Sequence, residues 1–227
     1  MNSTLPSKCS GCPYRGRQIY VVGRLRFERE LMANFIETHT AAKWYQAESL
    51  GAVPLSNQGV AHGLKMILID THTLDRDDIL RLFSSKDWMN HSHNLMAFFN
   101  LLREHHIEKE ALKNGVNGFL YEDDSAEDLI SGICAINSGE LWISRKIMSE
   151  CLEESYIGKG FSEPSGHALS DREVELLRVL VTGASNDIIA DRMCISPHTV
   201  KTHMQNIFHK IDVSNRLQAV LWAKQNL

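Results

Sequence analysis

Ser196-Pro197-His198-Thr199-Val200-Lys201-Thr202-His203-Met204-Gln205-Asn206-Ile207-Phe208-His209-Lys210-Ile211 decides the C-terminal fold of this 227-residue chain. Serine followed by proline reads as a cap and a first helical position. Proline has no N–H to leave unpaired at a helix start, and its ring presets φ. Val200, Met204, Ile207, Phe208 and Ile211 then fall at i, i+4, i+7, i+8 and i+11, which makes one buried face. The other face carries His198, Lys201, Thr202, Gln205 and His209. Upstream, Ser185 is placed to cap a shorter helix with Ile188, Ile189 and Met193 inward. Before that, Ser170-Asp171-Arg172-Glu173 is a capping box. It opens a helix whose apolar stripe reads Val174, Leu177, Val181 and which Gly183 ends. A fourth helix runs from Ser214, with Leu217, Val220 and Leu221 apolar. A short helix, a tight turn and a polar-faced second helix suit entry into a DNA major groove.

Leu169-Ser170-Asp171-Arg172-Glu173, Gly183-Ala184-Ser185-Asn186, Ile189-Ala190 and the run from Ile195 to His203 resemble the LuxR/FixJ DNA-binding domain. So do Ile207-Phe208-His209-Lys210-Ile211 and Asn215-Arg216-Leu217-Gln218-Ala219. The resemblance implies a helix-turn-helix whose Lys201, Thr202 and Gln205 face base edges, with Thr199 and Lys210 as phosphate contacts. Lysine can donate to guanine O6/N7, and glutamine can pair bidentately with adenine. His203 reads as a packed or capping histidine. The partner implied is double-stranded DNA.

Net charge does not point to DNA: Lys and Arg number 24 against 28 Asp and Glu. Residues 166–227, however, hold seven basic and six acidic side chains, so the excess acid lies elsewhere. The first residues carry no apolar run of a signal peptide, and no apolar stretch is long enough to span a bilayer. A cytoplasmic protein without membrane contact is expected. Five cysteines (Cys9, Cys12, Cys134, Cys151 and Cys194) argue against a disulfide framework. The lone Cys9-x-x-Cys12 lacks the second pair of a structural zinc site, so no metal is expected.

Working outward, residues 155–167 are rich in Gly, Ser and charged side chains and read as a linker. The organisation expected is a tail at 1–16, a regulatory domain at 17–154, the linker, and a helix-turn-helix domain at 168–227. Within 17–154, strand-like and helix-like runs alternate. Strands are read at Gln18–Gly23, Lys43–Gln46, Lys65–Asp70, Leu95–Asn100 and Gly118–Tyr121. Helices are read at Leu25–His39, Asp75–Phe83, Ile107–Asn114 and Ser125–Asn137. In the first helix Leu25, Leu31, Met32 and Ile36 recur at helical spacing. Such alternation predicts an α/β fold: a doubly wound parallel sheet with helices on both faces, followed by the all-α domain.

The run Ala111-Leu112-Lys113-Asn114-Gly115-Val116-Asn117-Gly118-Phe119-Leu120-Tyr121 resembles a response-regulator receiver, with Asp70 at the phosphoacceptor position. Phosphoryl transfer to a carboxylate needs a divalent cation, usually held by added carboxylates. Receivers place an acidic pair after the first strand, where this chain has Gly23-Arg24. The receiver lysine is replaced by Glu122, and its Ser/Thr by Asn100. The resemblance therefore implies a degenerate receiver, with Asp70 structural and, from position alone, paired with Arg24. Asp75, Asp77 and Asp78 read as a solvated helix start, and Glu104-His105-His106 with Glu108 as a solvated helix.

After the last receiver helix come Trp142-Ile143-Ser144-Arg145. Trp-x-Ser/Thr-Arg here resembles the CsgD/VpsT group of biofilm regulators, with Ile143 where Leu, Phe or Met is usual. The resemblance implies cyclic di-GMP as effector and matrix genes as targets. Arginine can stack on guanine, bond its edge or neutralise phosphate; Trp142 can brace it; Ser144 can bond phosphate. A twofold ligand suits a homodimer, with Lys146, Ile147 and Leu152 lining the interface. The other reading stays open: Trp142 and Ile143 in the core, Ser144 a cap, Arg145 solvated, and control by abundance or a protein partner. Among the readable motifs none is enzymatic: no G-x-G-x-x-G, phosphate-binding loop or Ser-His-Asp pattern occurs. The α/β alternation argues against an amide-linked autoinducer sensor.

Overall fold

The structure, a computed structural model, describes residues 18–39, 42–55, 65–92, 94–155 and 169–227. The tail, including Cys9 and Cys12, and the linker lie outside the described residues.

Strands β1 (Gln18–Val22), β2 (Lys43–Ala47), β3 (Met66–Asp70), β4 (Leu95–Leu101) and β5 (Val116–Tyr121) pair in the order β2-β1-β3-β4-β5. Every pairing is parallel. The connecting helices are α1 (Arg26–His39), α2 (Arg76–Phe83), α3 (Lys86–His91), α4 (Glu108–Lys113) and α5 (Ala126–Asn137). This is the doubly wound α/β domain the alternation predicts. Because strand side chains alternate faces, the central strands feed two cores. Tyr20, Val22, Ile67, Ile69, Phe98 and Phe119 meet α2, α3 and α4, through Ile79, Phe83, Trp88 and Leu112. Ile19, Val21, Leu68, Phe99 and Leu120 meet α1 and α5, through Ala33, Ile36, Ile133 and Ile136.

Sheet pairing continues past β5. Trp142 N–H donates to Asn117 O (3.0 Å), and Phe119 N–H donates to Trp142 O (3.0 Å), a parallel bridge outside β5. Helix α6 (Arg145–Ser155) follows.

The C-terminal domain holds α7 (Asp171–Val181), α8 (Asn186–Met193), α9 (Pro197–Lys210) and α10 (Arg216–Asn226). The caps of α7, α8 and α9 are those the sequence marks, whereas α10 starts under Asn215 rather than at Ser214. Ser170 and Glu173 form the reciprocal box. Ser185 accepts from Ile188 N, and Ser196 from Thr199 N, with proline at the first turn of α9. Gly183, at φ +80°, follows the end of α7. Two helix phases need correction. In α7 the buried side chains are Leu176, Leu177 and Leu180, with Val174 and Val181 on the flank. In α8 Ile188 is 46% exposed while Ile189 and Ala190 are buried. Val200, Met204, Ile207 and Ile211 bury as read, with Phe208 partly covered.

A third correction concerns Glu104–Glu108, which is not a solvated helix. Residues Arg103–His105 form a 3-10 turn ended by His106 at φ 46°. His105 and Glu108 are buried, and Glu108 accepts a 3.0 Å bond from Tyr121 Oη. Burial and then the Glu108 charge raise the Tyr121 pKa.

Candidate nucleic-acid interface and regulatory site

Helix α9 turns its buried stripe onto α7 and α8 and leaves its polar side outward. His198, Thr202, Asn206 and His209 are exposed, and Lys201, His203 and Gln205 are half-buried. The calls for this face are placed as follows. Lys201, Thr202 and Gln205 are on the outward side within one and a half turns. Thr202 Oγ1 donates back to His198 O (3.2 Å), so its methyl faces outward with the hydroxyl partly engaged. Thr199 shares a 2.8 Å hydroxyl bond with Ser196 at the helix start. Lys210 has a different duty in this conformation: its Nζ lies 2.7 Å from Glu173 Oε2, a carboxylate only 6% exposed. Burial raises the Glu173 pKa, but the bonds from Lys210 and Ser170 outweigh it and hold the carboxyl below its usual range. Lys210 thus ties the end of α9 to the start of α7, and its ammonium is not held out toward a phosphate.

The two domains are joined by a polar contact that sequence reading missed. Asn215, fully buried, caps α10 by accepting from Gln218 N (2.9 Å). Its Nδ2 donates across the domain boundary to Leu112 O (2.8 Å) and Val116 O (3.2 Å). Gln218 Nε2 adds a 3.0 Å bond to Lys113 O. On the other flank Arg216 Nη1 donates to Asn186 Oδ1 (2.9 Å) and meets Glu140 Oε1 at 3.4 Å, and Nη2 bonds Ala184 O. Asn186 in turn donates to Glu140 Oε1 (3.0 Å) and Ser138 O (2.6 Å). Burial pulls the Arg216 pKa down, and Glu140 opposes that shift. The sequence reading starts this helix at Ser214, and that Asn215 and Gln218 reach α4 is a tertiary fact.

At the position that resembles a phosphoacceptor, Asp70 has structural partners. Asp70 is buried, and its Oδ1 accepts from His72 N (3.1 Å) and Asn100 Nδ2 (3.1 Å). Those are its partners, rather than Arg24, which is exposed and lies near Asp78. Gly23 is needed there: a Cβ would stand 2.8 Å from Asp70 Cβ. Glu28 Oε2 is buried without a donor beside Asp70. Burial, followed by Asp70, pushes the Glu28 pKa up. Where a receiver has its acidic pair this chain has Gly23-Arg24, so Asp70 and Glu28 are the carboxyls gathered at this place. Among the described residues no group of three His, Cys, Asp or Glu gathers as for a metal. Asp75 and Asp78 form the capping box of α2.

Trp142-Ile143-Ser144-Arg145 splits by alternation. Trp142 lies over α5, its indole against Gly132, where a Cβ would come within 2.8 Å of Nε1. Ile143 packs on the opposite core. Ser144 Oγ accepts from Ile147 N (3.3 Å), capping α6. Ser144, Arg145 and Lys146 are exposed. Of the three residues named for a dimer surface, Lys146 is exposed, Ile147 is half-buried against the regulatory core, and the side chain of Leu152 lies outside the described residues.

One domain is a doubly wound parallel sheet and the other is built on a helix-turn-helix. Residues 167–223 match the family described as bacterial regulatory proteins, luxR family, and this domain belongs to it. The probable csgAB operon transcriptional regulatory protein of Salmonella typhimurium is 41% identical over 112 residues, 49% of this chain and 51% of that protein. The CsgBAC operon transcriptional regulatory protein of Escherichia coli K12 is 38% identical over 112 residues, with the same shares. The chain spans about half the length of the curated relatives it matches. Among solved structures, the regulatory domain of the master biofilm regulator CsgD aligns with TM-score 0.45 and 15% identity over 60% of this chain and 98% of that one. No helix among the described residues is long and apolar enough to cross a membrane.

Proposed function

We propose that this chain is a sequence-specific DNA-binding transcription regulator of biofilm-matrix genes, acting as a homodimer and controlled by cyclic di-GMP rather than by phosphorylation. The observation that carries DNA binding is α9: a helix capped by Ser196-Pro197, anchored by Val200, Met204 and Ile207, with Lys201, Thr202 and Gln205 outward in a luxR-family domain. Kinship with csg-operon regulators supports the choice of targets. The Asp70 environment supports independence from phosphate. For the ligand, the support is Arg145 exposed at the head of α6, beside a tryptophan held rigid over Gly132. Its guanidinium can stack on or bond a guanine.

A second reading, a regulator without small-molecule effector, is favoured by the same motif's structural work: Trp142 and Ile143 pack and Ser144 caps. Calorimetric titration of the full chain with cyclic di-GMP, beside Arg145→Ala, separates the two. Saturable binding lost in the folded variant establishes the ligand reading. No binding by folded wild type overturns it and leaves the DNA-binding assignment intact.

A further inference from the structure

The outward side of α9 carries a histidine at each end. At about 100° per residue, His198, Thr202, Gln205 and His209 fall within about 60° of one another around the axis, with Lys201 on their flank. His198 and His209 are both exposed. They stand about three turns and about 16 Å apart along the helix. That span exceeds the major groove's width of about 12 Å. A straight helix also cannot follow the curve of the groove. With Lys201, Thr202 and Gln205 at the base edges, the two ends of the line therefore rise to the rims, where the phosphates are.

The domain has little other positive charge to offer there. Residues 166–227 hold seven Lys and Arg against six Asp and Glu, and several of the seven are engaged within the chain. Lys210 pairs with Glu173. Arg172 pairs with Glu175 and bonds Met193 O. Arg216 is buried against Asn186, Ala184 and Glu140. Of the helices packed on α9, α7 also carries Asp171 and Arg178, and α8 carries Asp187, Asp191 and Arg192, all exposed. On α9 itself stand Lys201 and His203, and Asp212 follows its end. These charges largely cancel, so the phosphates supply the field that the two histidines meet on binding.

Imidazole changes its charge between pH 5 and 8, and a phosphate within a few ångström favours the charged form. Binding then draws a proton onto the ring. The gain in affinity is complete below the pKa of the free ring and is lost as pH rises through that of the bound one. We infer that His198 and His209 are phosphate contacts at the two ends of the reading helix, charged by proton uptake on binding, so that DNA affinity is coupled to pH. The inference rests on the DNA-reading role of α9. It leaves base selection to Lys201, Thr202 and Gln205.

Fluorescence anisotropy of a duplex enriched from a random pool, titrated with the full chain at pH 8, 7 and 6 and at several salt concentrations, tests it. Affinity is expected to rise by at least about tenfold from pH 8 to pH 6. The slope of log affinity against log salt is expected to steepen by about one to two, because two more cations displace counterions. His198→Gln and His209→Gln are each expected to lose part of the rise, and the double variant to keep under about threefold of it. Replacing both by arginine, charged at every pH used, is expected to give at pH 8 the affinity of wild type at pH 6. Both positions are exposed, so these variants should melt as wild type does. Equal affinity and equal salt slope at pH 6 and pH 8 overturn the inference and leave α9 a DNA reader. A pH effect undiminished in the double glutamine variant overturns it too, and assigns the proton to another group. Folded protein that enriches no duplex at any of the three pH values overturns both the inference and the reading beneath it.

Discussion

Single side chains here install structural bonds at the place where a receiver would keep its chemistry. At the Ser/Thr position of a receiver stands Asn100, at φ 54°, and its amide holds Asp70. Gly23-Arg24 in place of an acidic pair and Glu122 in place of the receiver lysine motivate the proposal of phosphate independence. Incubation with a small-molecule phosphodonor and magnesium is expected to leave the intact mass of the protein unchanged, and Asp70→Asn to leave DNA affinity unchanged. A phosphoryl adduct that Asp70→Asn abolishes would contradict this. Lys210 and Glu173 carry a second prediction. Lys210→Met leaves a buried carboxylate with its serine bonds alone and should destabilise the C-terminal domain by about 1–3 kcal/mol in urea unfolding. Glu173 titrates below its ordinary range in the folded state. Its contribution is therefore complete above the unfolded carboxylate pKa and is lost as pH falls through the folded one. Stability of the wild type should decline across that acidic window, and decline less in Lys210→Met.

At the scale of elements, caps and strands were legible and helix rotation was not. Ser125, Ser170, Ser185 and Ser196 each accept the bond their position promises, because a cap is a local interaction within four residues. Helix α3 was missed because Lys86-Asp87-Trp88-Met89-Asn90-His91 is too short to show a period, and only tertiary contact buries Trp88. Leu31 and Ile188 were misassigned because spacing cannot distinguish a core position from an exposed apolar one. In the candidate site, the outward side of α9 was readable from its period, whereas the ion pair of Lys210 was not, since its partner lies 37 residues away. The Trp142 segment yields a prediction of the same kind. Trp142→Ala opens a gap over Gly132 and removes its packing, an expected loss of about 2–4 kcal/mol. Arg145→Ala, exposed, should change stability by under about 0.5 kcal/mol. Thermal or urea denaturation separates them, and equal losses would contradict the packing described.

For the whole molecule, α10 is the element that makes one body of two domains. It has apolar side chains on both sides because it is packed on both: Leu217 joins the regulatory core and Ala219, Trp222 and Ala223 the C-terminal one. Gly115, at φ +93°, admits the close approach, with Ser214 Cβ 2.6 Å from where a Cβ would be. Gly115→Ala, strained in backbone and in contact, should separate the domains. The expected readout is a larger radius of gyration in small-angle scattering and two unfolding transitions where wild type shows one. A variant as compact and cooperative as wild type would show that the contact contributes nothing.

The central claim is that α9 reads DNA sequence, and selection from a random duplex pool by the purified full chain measures it most directly. The account predicts an enriched motif of paired half-sites, bound with a salt dependence that reports phosphate contacts. Lys201→Ala should relax the preference at one base position by about 1–3 kcal/mol while the protein stays folded. No enriched motif from folded protein, or a motif and affinity indifferent to Lys201, Thr202 and Gln205 replaced together, would contradict it.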